Sequence, residues 1–348
     1  MLDGPSQIRG NLVSDAVNRQ FLIAARPEGL LKESDFQYHE APIAELEDGQ
    51  VLVQVQLVAV EPALRGTMIE DESNPANLQI GDVMGALAAG KVVASKHPGV
   101  DVGERVQGLF GFADYVVTHP KAFLFAKIPT GVSLEEALYV FDTSGLTAYL
   151  GMVEVGAPKP GEHVLVSAAA GAVGSLAVQM AKLAGAKVVG IAGSDDKCRW
   201  LTEELGIDAA INYKTEDVQA RAAHLLPGGI DVYFDNVGGE ILDVAIAQLR
   251  LGSRLVLCGR ISEYSATGAP YPHRNTEKLL ENCLRMERLV LFNHTERFDD
   301  WRRTMSQWLA GGKLRYQVDV LEGFENLPRG IIRLFTGENV GKQLIRIG

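Results

Sequence analysis

The stretch VSAAAGAVGS, residues 166–175, constrains the fold of this chain more than any other feature. It completes the apolar run HVLVSA and opens GAVGSLAVQMAKLAG, a pattern that predicts a buried strand and then a helix ending at Gly185. The turn reads Ala169-x-Gly171-x-x-Gly174, the spacing of a dinucleotide-binding turn with alanine in place of the first glycine. Gly171 would let the backbone approach a pyrophosphate, and Gly174 would let the helix pack closely on the sheet.

The sequence that follows decides between a cofactor site and ordinary packing of small residues. Further strand–helix units come after the turn, with predicted strands KVVGIAG, AAINY, IDVYFDNVGG, SRLVLCG and ERLVLFN. The segment SDDKCRWLTEEL predicts a helix with Ser194 as its N-cap and Gly206 just past its end. Strand–helix alternation of this kind predicts an α/β fold with a doubly wound parallel sheet. In that context we interpret residues 166–175 as a cofactor site.

The first third of the chain has a different rhythm. VLVQVQLVAV, FLIAARP, GKVVASKHPG and FADYVVTHP are short apolar runs separated by Gly, Pro and charged residues, which predicts a barrel or a sandwich of strands. The pattern changes at about residue 133, and a length of 348 residues suggests two domains. On composition alone, the mixed tail from residue 316 onward could belong to either domain.

Charge and cysteine content exclude several functional classes. The net charge is −11 and the pI is about 5.2, whereas nucleic acid or an anionic membrane surface would favour a basic face. The three cysteines, Cys198, Cys258 and Cys283, form no disulfide framework and favour a reducing, cytoplasmic location. The N-terminal residues contain no apolar signal core, and no apolar run approaches about 20 residues, so no membrane span is expected.

The end of the second predicted strand indicates which nicotinamide cofactor is bound. An NAD enzyme usually has Asp or Glu there for the ribose hydroxyls, but Ile191 to Gly193 carry no acid. Ser194 and Lys197 follow, and either could meet a 2′-phosphate. Asp195 and Asp196 would repel that phosphate if they pointed inward, and Lys197 alone could equally be a solvated helix residue.

Several motifs then occur in an order that resembles a known family. SAAAGAVGS, GIAGSDDK, INYKT, YFDNVGGE, CGRISEY and GENVGKQ, together with EPALRG, GERVQG and SGLTAYLG, resemble the zinc-independent medium-chain reductases typified by prostaglandin reductase and bacterial curcumin-type reductases. The resemblance covers nearly the whole chain. It implies a Rossmann domain at 134–314, a GroES-like β-barrel substrate domain formed by 1–133 and 315–348, NADPH as cofactor, and a small-molecule substrate whose carbon–carbon double bond is conjugated to a carbonyl.

The resemblance also implies roles for individual residues. Lys197 and Tyr213 match positions that contact the adenosine 2′-phosphate, Asn236 matches one near the cofactor ribose and pyrophosphate, and Asn339 matches one that approaches from the other domain. Tyr264 matches a tyrosine that faces the substrate pocket, although a tyrosine there could also be plain core. The full set expected to bind the cofactor is Ala169, Gly171, Ala172, Val173, Gly174, Ser194, Lys197, Tyr213, Asn236, Val237, Cys258, Gly259, Ser262, Phe292, Asn293 and Asn339.

Two departures from the family pattern concern the pocket. Ala63 and Leu64 replace an aromatic residue and a methionine, so the pocket should be roomier there and lack one hydroxyl. Asp142 stands where small and apolar residues are usual, and we interpret it as a helix cap rather than as a polar group near the nicotinamide. The size of the preferred substrate therefore cannot be transferred from the family.

The zinc-bearing branch of the same superfamily needs Cys and His ligands and a four-cysteine loop. No cysteine occurs in the first 197 residues and the seven histidines are scattered, so no metal site is expected. Conjugate reduction suits such a site, because hydride added to the β-carbon leaves charge on an enolate oxygen that Tyr264 or the cofactor ribose hydroxyl can stabilise.

Two other functions stay open at this point: reduction of quinones, and a binding module that holds NADPH without turnover. The resemblance further implies a homodimer joined through the edges of two Rossmann sheets. The segment ERLVLFN, 287–293, is the candidate edge strand.

Overall fold

The structure is a computed structural model that describes residues 17–71 and 76–348. Residues 1–16 and 72–75, which belong to the predicted 1–133 domain and include most of the N-terminal stretch examined for a signal core, lie outside the described residues. The chain divides into two compact units. One holds the described residues up to Leu138 with Val320–Leu334 and Leu344–Gly348, and the other holds Tyr139–Asp319 with Phe335–Gln343.

Strands and helices alternate from the middle of the chain onward. The strands of the described residues are β1 (Val17–Ile23), β2 (Phe36–Pro42), β3 (Val51–Ala59), β4 (Leu87–Ser95), β5 (Arg105–Leu109), β6 (Tyr115–Thr118), β7 (Ala126–Lys127), β8 (His163–Val166), β9 (Lys187–Ala192), β10 (Ala209–Asn212), β11 (Ile230–Asp235), β12 (Leu249–Leu257), β13 (Cys283–Arg288), β14 (Val318–Glu322) and β15 (Lys342–Arg346). The α-helices are α1 (Leu134–Leu138), α2 (Thr143–Tyr149), α3 (Ala172–Leu183), α4 (Asp195–Arg199), α5 (Val218–Leu225), α6 (Gly239–Ile246), α7 (Ile261–Tyr264), α8 (Thr276–Asn282), α9 (Phe298–Ala310) and α10 (Leu327–Thr336). Short 3-10 or π-helical turns lie at Glu33–Asp35, Pro62–Met68, Leu150–Gly156, Trp200–Glu204, Leu291–Arg297 and Phe324–Asn326.

The first unit is built on antiparallel strands. Its larger sheet has the order β14-β15-β3-β4-β5-β7, with β6 also pairing with β3, and β1 pairs with β2 in a separate two-stranded sheet. The central strand β3, VLVQVQLVA, keeps its apolar residues buried and places Gln54 and Gln56 at half-buried positions. The alternation that predicted this strand therefore corresponds to one face on the core.

The second unit is a parallel sheet between two apolar layers. Its six strands have the order β10-β9-β8-β11-β12-β13, and the pairs are parallel. Side chains alternate between the layers, because Val164 and Val166 join one core cluster while Leu165 between them joins the other. The predicted fold class, α/β with a doubly wound parallel sheet and a separate antiparallel domain, is confirmed.

The order of the strands reverses next to β8. The chain runs from β8 outward through β9 and β10 on one side, and then returns to β11, β12 and β13 on the other. At such a switch point the connections leave the sheet in opposite directions, which opens a crevice at the carboxyl ends of the strands. The candidate site lies at the ends of these strands.

Several predicted helix boundaries agree with the structure. Helix α3 ends at Leu183, and Gly185 follows in the left-handed region with φ of +82°. Ser194 caps α4, since its Oγ accepts a hydrogen bond from the backbone N–H of Lys197 at 3.3 Å. Asp142 caps α2 through a 2.8 Å bond from the backbone N–H of Thr143, and its side chain is buried.

The predicted edge strand at 287–293 is wrong in its position. The edge strand is β13, Cys283–Arg288, and the chain turns at Leu291–Arg297 into a 3-10 helix. The reason is the length of its neighbour, because β12 ends at Leu257 and its carbonyl accepts the last bond of the ladder, from Leu289 N–H at 2.9 Å. Beyond that point a strand would have no partner on the sheet.

Candidate cofactor-binding site

The glycine turn joins the end of β8 to the start of α3. A Cβ on Gly174 would lie 2.3 Å from the carbonyl oxygen of Ala168, so only glycine lets the helix pack this closely against the turn. A Cβ on Gly171 would meet Ala168 O at 3.2 Å, a tight contact but a far smaller overlap than at Gly174. The positive φ in the turn belongs to Ala168, at +45°, and not to Ala169, which is fully buried. The alanine in the first motif position is therefore accommodated without strain at that residue.

The start of α3 is hydrogen-bonded to a buried tyrosine. The Tyr139 hydroxyl donates to the carbonyl oxygen of Ala172 at 2.9 Å and lies 2.8 Å from Ser175 Oγ. Complete burial raises the pKa of Tyr139, so the phenol stays protonated. Ala172 and Val173, both half-buried, form the first residues of the helix. The twelve-residue helix thus presents a fixed N-terminus, the end at which the helix dipole favours an anion.

Three predicted residues meet at the end of β9. The ring of Tyr213 lies over Gly193, because a Cβ on that glycine would be 3.0 Å from the ring carbon Cε1. Ser194 follows immediately, and Lys197 is one turn into the helix that Ser194 caps. The Lys197 ammonium donates to the carbonyl oxygen of Gly337 at 2.8 Å, on the exposed side of the unit. A phenol therefore lies over the residue after the strand, and a hydroxyl and an ammonium follow it in the sequence.

The two acids that complicated this prediction have other partners. Asp195 Oδ1 accepts a 2.7 Å bond from the side-chain amide of Asn212. Asp196 Oδ1 accepts a 2.8 Å bond from Arg199, and both side chains are largely exposed. Each carboxylate is therefore engaged by another side chain.

A buried carboxylate, which the sequence analysis did not single out, lies at the switch point. Asp235, the last residue of β11, is 1% exposed. Its Oδ1 accepts from Ser167 Oγ at 3.0 Å, from Tyr233 Oη at 2.8 Å and from the backbone N–H groups of Val237 and Gly238 at 3.1 Å each; the Gly238 N–H also lies 3.0 Å from Oδ2. Burial raises the pKa of Asp235 above its ordinary value, while the surrounding donors stabilise the carboxylate.

This network fixes Asn236, which was predicted to bind the cofactor. The backbone N–H of Asn236 donates to Ser167 Oγ at 2.8 Å, and its side-chain amide donates to the carbonyl oxygen of Ser167 at 2.7 Å. One signal could have revealed the network from sequence, namely a charged residue at the end of the apolar run YF in YFDNVGG.

The end of β12 lies against the same corner. The backbone N–H groups of Cys258 and Gly259 both donate to the carbonyl oxygen of Asp235, at 2.8 and 3.0 Å. Ser262 Oγ donates to the carbonyl oxygen of Val237 at 2.7 Å. The Tyr264 hydroxyl lies close to Gly259, since a Cβ on that glycine would be 3.6 Å from it. The structure thus groups Asn236, Val237, Cys258, Gly259, Ser262 and Tyr264.

The segment Phe335–Gln343 belongs to the parallel-sheet unit. Its Gly341 N–H donates to the carbonyl oxygen of Ala170 at 2.9 Å, and Gly341 forms an isolated parallel bridge with Gly171. Asn339 donates to the carbonyl oxygen of Gly341 at 3.0 Å. Asn339 therefore lies beside the glycine turn within the same unit, whereas the resemblance implied an approach from the other domain.

Phe292 and Asn293 belong to a different segment from the predicted residues that follow β11 and β12. Both are exposed, in the 3-10 turn after β13, and the Asn293 N–H donates to the carbonyl oxygen of Val290 at 3.1 Å.

The residues present fit a phosphorylated dinucleotide. The turn at Gly171, the fixed N-terminus of α3 and the acid-free end of β9 lie on one side of the switch point, and the corner at Asn236 and Gly259 lies on the other. No group of three or more His, Cys, Asp or Glu able to hold a metal ion occurs among residues 17–71 and 76–348. Within the same residues, no helix is both long and apolar enough to span a membrane.

Two family models match the chain. Residues 19–126 match the N-terminal domain of oxidoreductases, and residues 172–311 match a domain described as zinc-binding dehydrogenase.

The chain is similar over almost its full length to curated reductases. It is 37% identical to prostaglandin reductase 1 of Bos taurus, over 91% of this chain and 95% of the relative. It is 34% identical to NADPH-dependent curcumin reductase of Escherichia coli (95% and 97% covered) and 33% identical to the NADP⁺-dependent 2-alkenal reductase of Nicotiana tabacum (97% and 99% covered). Among solved structures, CurA of Vibrio vulnificus in complex with NADPH superposes with a TM-score of 0.89 at 33% identity, covering 95% of this chain and 99% of that one.

Proposed function

The chain belongs to the zinc-independent medium-chain dehydrogenase/reductases, in the branch of the prostaglandin, curcumin and 2-alkenal reductases, and we propose that it uses NADPH to reduce the double bond of α,β-unsaturated aldehydes and ketones. It is an NADP-dependent oxidoreductase that acts on activated double bonds. The proposal adds the substrate class, the β-carbon as the site of hydride transfer, and the roles of individual residues.

One structural observation supports the cofactor assignment above the others. The second strand, β9, ends at Ala192 just before Gly193; Tyr213 lies over Gly193, Ser194 and Lys197 follow it, and Asp195 and Asp196 are bound to other residues. A 2′-phosphate needs hydrogen-bond donors and a cation, and a carboxylate at this place would repel it. We assign these three residues to the 2′-phosphate of NADPH.

The glycine turn is assigned to the pyrophosphate. Gly171 leaves room for close approach, and Tyr139 keeps the first turn of α3 in place from the buried side. Because the helix N-terminus carries unpaired N–H groups and the positive end of the dipole, it stabilises the doubly charged linkage.

Bound NADPH supplies a hydride, and the protein residues orient the acceptor and stabilise the charge that develops on it. Tyr264 is placed for the second task, because its hydroxyl lies beside Gly259 at the end of β12, on the side of the switch point opposite the adenosine site. A phenol is a neutral donor and can give a hydrogen bond to the carbonyl oxygen of an enone as that oxygen gains charge. Solvent then supplies the proton for the α-carbon.

Turnover of a substrate panel tests the proposal. NADPH consumption is followed with enals, enones and quinones of matched size, and the products are identified by mass and by loss of the alkene signal in NMR. We expect saturated aldehydes and ketones from enals and enones. Consumption with quinones alone would make the protein a quinone reductase, and tight NADPH binding without turnover of any acceptor would make it a binding module.

We also propose a homodimer joined at the edge of the parallel sheet. Strand β13 is the last strand of that sheet, and it presents Leu284 and Met286, which are 77% and 54% exposed. Leu280 and Leu251, at 87% and 84% exposure, lie on the neighbouring helix and strand. An unpaired strand edge with apolar side chains favours pairing with a second copy, because both backbone hydrogen bonds and apolar area are gained. A cytoplasmic location, where its three cysteine thiols stay reduced, is part of the same proposal.

A further inference from the structure

Asp235 is surrounded by donors. Two of them are hydroxyls. Ser167 Oγ accepts the backbone N–H of Asn236 and donates to Asp235 Oδ1 at 3.0 Å, a shorter contact than its 3.5 Å one to the carbonyl oxygen of Phe234. Burial raises the pKa of Tyr233 well above the ordinary value of a phenol, so its hydroxyl keeps its proton and donates as well.

The ionised form of Asp235 fits this environment. The remaining contacts are backbone N–H groups of Val237 and Gly238, which can only donate. These donors stabilise the carboxylate, whereas burial favours the neutral carboxyl and raises the pKa of Asp235. Charge-assisted bonds from four different groups offset the cost of burying the negative charge.

The carboxylate shapes the loop that follows β11. It binds the N–H groups of Val237 and Gly238, and the loop can wrap around it because Gly238 and Gly239 both adopt left-handed conformations, with φ of +72° and +55°. These two backbone N–H groups are therefore used within the protein, and what the corner presents to a ligand is the side chain of Asn236 together with Val237.

Ser167 connects the end of β8 to the end of β11 through hydrogen bonds. It directly follows β8, and its hydroxyl joins Asp235 to the backbone of Asn236 while its carbonyl oxygen accepts a hydrogen bond from the Asn236 side-chain amide. An amide nitrogen carries two hydrogens, and Ser167 uses one of them. The orientation of the Asn236 side chain is thus fixed by residues that are themselves buried.

We infer that Asp235 is a positioning residue for the nicotinamide half of NADPH, acting with Ser167 and Tyr233 by holding the Asn236–Val237 corner in the shape that receives the cofactor. The inference rests on the proposed function. The network lies at β8 and β11, while the 2′-phosphate residues lie at β9 and β10, so the two halves of the dinucleotide should depend on it differently.

The test compares two ligands on the same preparations. NADPH binding is measured by fluorescence of the reduced nicotinamide, and binding of adenosine 2′,5′-bisphosphate, which has the adenosine 2′-phosphate but no nicotinamide, is measured by calorimetry. The variants are Ser167→Ala and Asp235→Asn. Ser253→Ala is the matched control, because Ser253 is also a buried serine of the same sheet and its hydroxyl donates to the carbonyl oxygen of Asn282, outside the network.

We expect Ser167→Ala and Asp235→Asn to weaken NADPH about tenfold, as for the loss of one buried hydrogen bond, with less than about a twofold change for the bisphosphate. The control should change neither ligand. Equal weakening of both ligands would show that the network supports the fold only, and unchanged NADPH affinity in Ser167→Ala would likewise overturn the inference.

The experiment distinguishes failure of the Asp235 inference from failure of the proposed function. If the Asp235→Asn protein does not fold, the Ser167→Ala variant still tests the inference. For that variant, the ratio of the NADPH and bisphosphate dissociation constants measured on one preparation does not depend on the fraction of the protein that is folded. If the wild-type protein binds no NADPH, the proposed function has failed and not merely the role of Asp235.

Discussion

The ammonium group of Lys197 lies 2.8 Å from the carbonyl oxygen of Gly337. The residue assigned to the 2′-phosphate is therefore already oriented by the segment that also supplies Gly341 to the glycine turn.

Cofactor selectivity should depend on this lysine. We expect NADPH to bind at least about tenfold more tightly than NADH, a difference of about 1.4 kcal/mol, and Lys197→Ala to remove most of that difference. Lys278→Ala is the control, because Lys278 is an exposed lysine paired with Glu281 on α8. Dissociation constants for both cofactors check the prediction, and equal losses for NADPH and NADH would exclude Lys197 from the phosphate site.

The two glycines of the turn should respond differently to alanine. A Cβ on Gly174 would overlap Ala168 O at 2.3 Å, so Gly174→Ala should lower the free energy of unfolding by about 1–3 kcal/mol. Gly171 has φ of −83°, and a Cβ there would need only a small shift of the Ala168 carbonyl oxygen at 3.2 Å, so Gly171→Ala should destabilise the fold less but weaken NADPH, because the methyl group occupies the proposed place of the pyrophosphate. Urea denaturation and NADPH titration of both variants separate the effects. Normal NADPH affinity in Gly171→Ala would contradict the pyrophosphate assignment.

An ion pair in the antiparallel unit should give an acid-dependent contribution to stability. Glu135 accepts a 2.7 Å bond from Arg346; burial raises the pKa of Glu135, but the Arg346 bond and charge outweigh this and the pKa is lowered. Because the carboxyl pKa is lowered, the ion pair contributes to the free energy of unfolding at pH values above the ordinary Glu pKa of about 4.3. This contribution is lost as the pH falls through the folded-state pKa of Glu135.

Glu135→Gln should therefore cost up to about 1 kcal/mol at neutral pH, and the difference from wild type should shrink below about pH 4. Chemical denaturation at both pH values measures it, with Glu45→Gln as an exposed control. A difference that stays constant with pH would mean that packing, not charge, is lost.

The assembly should respond to charge at the β13 edge. Leu284→Lys places a charge on a strand edge that we assign to the dimer contact, so light scattering should show a shift from dimer toward monomer. Leu109→Lys, at an exposed leucine of β5 in the other unit, should leave the assembly unchanged. A monomeric wild type at working concentration would refute the dimer.

Tyr264→Phe tests the role of the phenol in catalysis. Loss of one oxyanion donor can cost on the order of a hundredfold, but the cofactor ribose hydroxyl can share the task, so we expect about a tenfold decrease in kcat for enones. NADPH affinity should be unchanged, because the ring is kept. A wild-type rate would assign the tyrosine to the pocket wall, and a collapse of NADPH affinity would assign it to the cofactor.

Sequence reasoning located the parts of the site that are defined by short-range pattern. The glycine turn, the Ser194 cap and the Asp142 cap depend on neighbours within a few positions, and spacing reveals them. The edge strand was placed four residues too late at its start, 287 instead of 283, because its side chains are exposed and charged and its limit is set by where β12 ends.

The Asp235 network was not foreseen for a related reason. Ser167, Tyr233 and Asp235 come together only because β8 and β11 are neighbours in the sheet, which is a property of strand order. The position of Asn339 beside the glycine turn likewise depends on the return of a distant segment to the sheet. Such contacts have no periodicity that a single sequence can display.

The return of Phe335–Gln343 to the parallel-sheet unit affects the order in which the protein can be completed. The glycine turn is synthesised near the middle of the chain, but Gly341, which bonds to Ala170 beside it, emerges from the ribosome much later. During translation the dinucleotide crevice therefore lacks one of its walls until these residues have emerged. If the glycine turn binds the cofactor as proposed, a polypeptide stalled before residue 335 would lack the Gly341–Ala170 bond beside it.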